Sequence, residues 1–176
     1  MSETGHFATR FMKSVTPEPG DPTFSILKTH LLIEELLRTY LERQCAHPTV
    51  MRNAKLTYAQ ILQIARAFCP NVDEDYWVWK AMGDLNKLRN ELAHKLEPAE
   101  FDKKVETYSE FIVAQSGIPL PPFLNEEQRA AILADPRVKD HHFVARYFKV
   151  DMANIGLYSI VLGVLGFPKD EGMPVK

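Results

Sequence analysis

Little in this chain of 176 residues points to an extracellular, membrane-spanning or nucleotide-binding role. Two cysteines, Cys45 and Cys69, stand far apart and outside any CxxC pair. That fits reduced thiols acting as small buried apolar residues better than a disulfide framework or a zinc site. No hydrophobic stretch reaches the roughly 20 residues of a membrane-spanning helix. The longest, IGLYSIVLGVLGF at 155–167, has 13, and reads as a buried C-terminal helix or an oligomer contact. The N-terminus, MSETGHFATRFMKSVTPEPGDP, has no apolar core of signal-peptide length, so a cytoplasmic location is expected. An excess of one charge is missing too: 21 basic against 23 acidic residues leave a net of -2. Any polyanion site must therefore be local. P-loop, GxSxG, HExxH and dinucleotide fingerprints are absent, and no cofactor is expected.

What is present is helical. A chain of this length with 45% hydrophobic residues can bury the core of one domain. Residues 1–21, rich in Thr, Ser, Gly and Pro without a period, read as a flexible arm. Asp21 and Pro22 are a helix start, because Asp caps free backbone N–H groups and Pro already has helical φ. From there to about Gln44, Ile26, His30, Ile33, Leu37 and Leu41 recur at spacings of four, three, four and four. Phe24, Leu27 and Leu31 lie on another side, and a helix apolar on two sides belongs in the middle of a bundle. His47 and Pro48 mark a break, and KLTYAQILQIARAFC supplies the next helix, with Thr57 and Gln60 in capping-box register. A long helix follows over about 75–95. Pro98 then opens PAEFDKKVETYSEFIVAQ, with Glu100 in its first turn, and the prolines of SGIPLPPF end it. Two or three more helices are expected over 124–167, the first capped by Asn125. With no sustained strand alternation and no internal repeat, the expectation is an all-α antiparallel bundle over 22–115, with a helical extension over 118–176 packed on the same domain.

The helix over 75–95 carries two stripes. Trp77, Ala81, Leu85, Leu88, Leu92 and Leu96 share one face at spacings of four, four, three, four and four, which is the core face. Trp79, Gly83, Asn86, Asn90 and His94 fall roughly opposite, with Arg89 between the two. Asparagine and glycine have poor helix propensity for a merely solvated face. Trp79, Gly83 and Asn86 therefore have two readings: a homodimer interface, or a face on which Trp79 packs under the C-terminal extension. His94, near the helix C-terminus, also suits the last carbonyls and the dipole. Asn90, four residues earlier, is placed to orient its imidazole.

RNELAH at 89–94 resembles the Rx4H signature of the HEPN superfamily, small helical bundles that include many metal-independent endoribonucleases. The setting is similar too, since there the motif lies near the end of a long helix in a four-helix bundle, preceded by a helix much like THLLIEELLRTYL. The likeness covers about 22–115. It implies a homodimer in which Arg89, Asn90 and His94 of two chains form one composite catalytic site that cleaves RNA through its own 2′-OH. Cleavage of that kind needs a base, an acid and cations for the charge on phosphorus. Histidine fills either proton role near neutral pH, and the planar fork of arginine pairs with phosphate oxygens. The resemblance further implies a toxin or phage-defence role with an antitoxin or nucleotidyltransferase partner. It equally admits a non-catalytic regulator, because a similar Arg-to-His spacing occurs in mannitol operon repressor proteins.

RNA contacts are expected from Lys87 and Lys95 beside the motif and from Arg146 and Lys149 within RVKDHHFVARYFK, 137–149, where four basic residues face one acidic residue. The same segment also reads as an amphipathic helix with its aromatics in the core. Asp140, His141 and His142 are adjacent rather than one turn apart and converge poorly on a metal. His30 reads as a satisfied core histidine, and Glu34 and Glu35 as solvated carboxylates.

Overall fold

The computed structural model describes residues 22–94, 99–117, 130, 131, 134 and 141–167, and of 141–148 the backbone alone. The described residues form six α-helices and no strand: α1 (Pro22–Gln44), α2 (Pro48–Asn53), α3 (Tyr58–Phe68), α4 (Trp77–His94), α5 (Phe101–Ser116) and α6 (His141–Val164). The all-α expectation is met. Helix α1 is central, packing against α2, α3, α4 and α6, while α5 packs against α4 and α6.

The expected stripe of α1 is buried: Ile26, His30, Ile33, Leu37 and Leu41 are all at most 3% exposed. Its second buried side differs from the expectation. Phe24 and Leu31 are exposed, and Ser25, Thr29, Leu32, Leu36 and Tyr40 are buried instead. Ser25 Oγ accepts from Asn154 Nδ2 there, whereas Thr29 Oγ1 meets no partner among the described residues, and apolar periodicity alone registers neither. Phe68 and Val50 are exposed as well.

The break at His47 and Pro48 holds a short helix, α2, with Pro48 in its first turn, where a missing N–H costs nothing. Thr57 caps α3 in a full capping box with Gln60, as its register predicts. Tyr40 of α1 donates its hydroxyl to the Phe68 carbonyl at 2.9 Å, satisfying a carbonyl at the end of α3. Helix α5 begins at Phe101 rather than Pro98. Glu100 has φ +53°, a left-handed conformation that a helix cannot include.

The end of α6 is a Schellman motif: the Phe167 N–H reaches the Leu162 carbonyl, the Gly166 N–H reaches that of Gly163, and Gly166 has φ +70°. Asn71 Nδ2 donates to the Val164 carbonyl at 2.8 Å and Cys69 Sγ to the same oxygen at 3.4 Å. These bonds tie the connection after α3 to the end of α6. Cys69 is buried as expected, but Cys45, on the exposed segment after α1, is a free thiol open to solvent. Among the described residues no helix is long and apolar enough to cross a membrane. The Asn125 cap, Lys95, Leu96 and the arm over 1–21 lie outside the described residues.

Candidate functional site

Helix α4 presents a wider core face than its leucines imply. Ala81, Leu85 and Leu88 are buried as expected, Trp77 and Leu92 are half-buried, and Val78, Trp79 and Met82 extend the face. Trp79 overturns the reading of the back stripe as one continuous interface. It is 4% exposed within the chain, and its indole N–H donates to the Asp73 carbonyl at 3.2 Å. A ring that the chain itself buries offers nothing to a second copy. The indole N–H thereby ties the connection over 69–76 to α4.

The rest of the stripe splits. Asn86 is half-buried and turned to α1, where its Oδ1 lies 3.1 Å from His30 Nε2. Gly83 stands in the open, with nothing within 4 Å of the place a Cβ would take. Asn90 is half-buried, and His94, the last residue of α4, is exposed. Arg89 Nη1 donates to Asn90 Oδ1 at 3.2 Å. Asn90 thus orients the guanidinium rather than the His94 imidazole, which has no hydrogen-bond partner among the described residues. An arginine fork so held keeps donors free for an anion.

Two neighbourhoods flank these residues. On the α1 side, His30 is 3% exposed and stacks on Tyr58 with ring centroids 4.2 Å apart. Its Nδ1 lies 4.0 Å from Glu34 Oε2 and has no hydrogen-bond partner among the described residues. Burial holds its pKa below the usual histidine value, the Asn86 bond and Glu34 oppose that, and Arg89 adds to it. Glu34 is gripped by Arg38, whose Nε and Nη2 reach Oε1 at 3.0 and 2.8 Å. Tyr58 donates to the Met82 carbonyl at 3.3 Å, and burial raises its pKa strongly.

On the α5 side, Lys80 and Lys87 both bind Asp84. Burial pushes the Asp84 carboxyl up, and the two lysines outweigh it, holding the group below the usual carboxylate range. Lys104 pairs with Glu91 at 2.7 Å. A cleft of about 470 Å³ opens here, with Leu88, Tyr108 and Phe111 below and Lys80, Lys87 and Lys103 at its edge.

Of the expected RNA contacts, Lys87 is exposed and shares Asp84, and Lys149 pairs with Glu110 at 2.8 Å. Lys95 and the side chain of Arg146 lie outside the described residues. His30 is buried in the core as its apolar face predicts, but its Nδ1 is not satisfied, and Glu34 one turn later on the same helix is the signal in the sequence for its charged surroundings. Among the described residues no group of three or more His, Cys, Asp or Glu converges as a metal site. No family model, curated protein or solved structure matches the chain.

Proposed function

We propose that the protein is a metal-independent endoribonuclease of HEPN type, working as a homodimer, and that Arg89, Asn90 and His94 are its catalytic residues. The observation that carries this reading is the end of α4: an exposed imidazole there follows, one and a half turns on, a half-buried guanidinium oriented by Asn90. One chain supplies one such imidazole, and cleavage through the 2′-OH uses two proton carriers.

In the proposed reaction one His94 takes the 2′-hydroxyl proton as the oxygen attacks phosphorus. The bond to the 5′-oxygen breaks, and the partner's His94 returns a proton to that oxygen. The products are a 2′,3′-cyclic phosphate and a 5′-hydroxyl. Arg89 would hold the charge that builds on the phosphorus oxygens. The contact between copies would run along Gly83, Asn90 and His94, where Gly83 leaves room for a close approach. Such a protein suits the role of toxin or defence effector, with an antitoxin as its partner.

A second reading, a non-catalytic HEPN-like regulator, draws on the pairing of Lys87 with Asp84 and of Lys149 with Glu110, which reduces the positive charge available to RNA. Incubating the pure protein with RNA in EDTA decides between them. The nuclease reading expects cleavage that His94→Ala and Arg89→Ala each abolish. A stable dimer that leaves RNA intact supports the regulator, and cleavage retained by both variants refutes the site.

A further inference from the structure

We propose that His30 and Glu34 are a positioning pair for the Arg89 site, in which an anion bound at Arg89 draws a solvent proton onto His30 Nδ1 and closes the gap to Glu34. The inference rests on reading Arg89 as the anion-binding group, and four features of the seam carry it.

First, the ring is fixed. It is 3% exposed, stacked on Tyr58 at 4.2 Å and bonded through Nε2 to Asn86 Oδ1 at 3.1 Å. A carbonyl oxygen accepts, so Nε2 carries the hydrogen and Nδ1 of the neutral ring is a bare lone pair. Second, that lone pair faces an acceptor: Glu34 Oε2 is 4.0 Å away, and no donor among the described residues meets Nδ1. A buried lone pair opposite a carboxylate is unfavourable, and one added proton turns the contact into a charge-assisted hydrogen bond. Third, Glu34 is already in place, because Arg38 holds its other oxygen from two nitrogens at 3.0 and 2.8 Å. Protonation then needs only a small closure, with no search by the carboxylate.

Fourth, Arg89 stands one turn beyond Asn86 on α4, and its positive charge disfavours a second cation on His30. The charged and titratable groups that act on the ring are thus Glu34, with Arg38 behind it, from α1, Tyr58 from α3 and Arg89 from α4. The Tyr58 hydroxyl is committed to the Met82 carbonyl. Burial is the larger force against the proton, and a phosphate or other dianion at the guanidinium offsets the smaller one from Arg89 and adds negative charge, which moves the balance toward the proton. By linkage the effect is reciprocal: the protonated ring strengthens anion binding. His30 would not touch substrate. It sets, through Asn86 and α4, how firmly Arg89 grips.

The test follows the imidazole nitrogens of the six histidines by long-range proton–nitrogen NMR, with His30→Gln assigning the signal. Inorganic sulfate, which does not titrate near neutrality, is the anion, against chloride at equal ionic strength. Sulfate is expected to move the His30 midpoint up by roughly half a pH unit or more, matched by about threefold weaker sulfate binding at pH 7.5 than at pH 5.5. Arg89→Gln should raise the midpoint in the free protein and abolish the response, and Glu34→Gln should lower it. Arg89-dependent sulfate binding with a motionless His30 midpoint overturns the pair and leaves the anion site standing. Absence of Arg89-dependent binding overturns both. A shifting midpoint in a protein that leaves RNA intact keeps the pair and removes the nuclease.

Discussion

Where α1 meets α4, the buried His30 imidazole lies among charged groups that reach toward solvent, Glu34, Arg38 and Arg89. Where α6 meets α1 and α5, the buried Asp151 lies beside an uncharged network: Asn154 Nδ2 donates to Ser25 Oγ at 2.9 Å, and Tyr108 donates to Asn154 Oδ1 at 2.9 Å. Asp151 is 3% exposed, and neither of its oxygens meets a hydrogen-bond partner among the described residues. Burial pushes its carboxyl up to about 6. Burial also raises the Tyr108 hydroxyl well above its usual value. The interior network holds helices together through neutral hydrogen bonds, and the Asp151 carboxyl beside it is penalised when it ionises. The outer seam keeps charged groups at the solvent edge.

The difference appears as opposite pH slopes. Folded Asp151 titrates near 6 against 3.8 for the free group, so the folded state binds its proton more tightly and stability falls as pH rises from about 3.8 to 6. His30 is held below 6.5, so the unfolded chain takes its proton more readily. Its contribution is present above 6.5 and is lost as pH falls.

The widest separation between the two regions is in activity. His94→Ala and Arg89→Ala should each lower RNA cleavage by about 10² to 10⁴ with an unchanged melting temperature, whereas Asn154→Ala should leave the rate per folded molecule intact. Steady-state cleavage beside thermal melts checks this, and a rate that falls equally in all three erases the distinction. Next in size, Asp151→Asn removes a buried charge and should stabilise the protein by about 3 kcal/mol at pH 7.5. At pH 4.5 the native carboxyl is already neutral but most unfolded chains are ionised, so the gain should shrink to about 1 kcal/mol. Urea titrations at both pH values read the difference, and an equal effect at both would show that Asp151 does not titrate in the fold.

Asn154→Ala strands the Tyr108 hydroxyl and should cost roughly 1–3 kcal/mol by the same titration. The smallest effect belongs to Asn86→Ala: its amide is half-buried, so about 1 kcal/mol or less is expected. Loss of the Asn86 bond should also carry the His30 midpoint further down, which NMR detects. A larger stability loss from Asn86→Ala than from Asn154→Ala would invert the assignment of the two seams.

Apolar spacing made the helices legible, since the Ile26, Ile33, Leu37 and Leu41 stripe and the Ala81, Leu85 and Leu88 stripe are buried. The Thr57 box was legible for the same local reason. What escaped was non-local. Trp79 is buried and bonded to the Asp73 carbonyl in the connection before α4. Ser25, Thr29, Asp151 and Asn154 are buried polar residues that no period marks as core. Glu100 ends the turn before α5 in a left-handed conformation that glutamate does not announce. Arg89, Asn90 and His94 could be placed on one helix end from spacing alone, but the partnership of His30 with Asn86, 56 positions away, required the fold.

The most direct test of the central claim is the chemistry of the ends left on a short RNA after incubation with the protein in EDTA. Mass spectrometry should find 2′,3′-cyclic phosphate and 5′-hydroxyl termini, absent with His94→Ala. An intact RNA, or termini bearing a 5′-phosphate and a 3′-hydroxyl, would contradict an imidazole-driven attack by the 2′-hydroxyl.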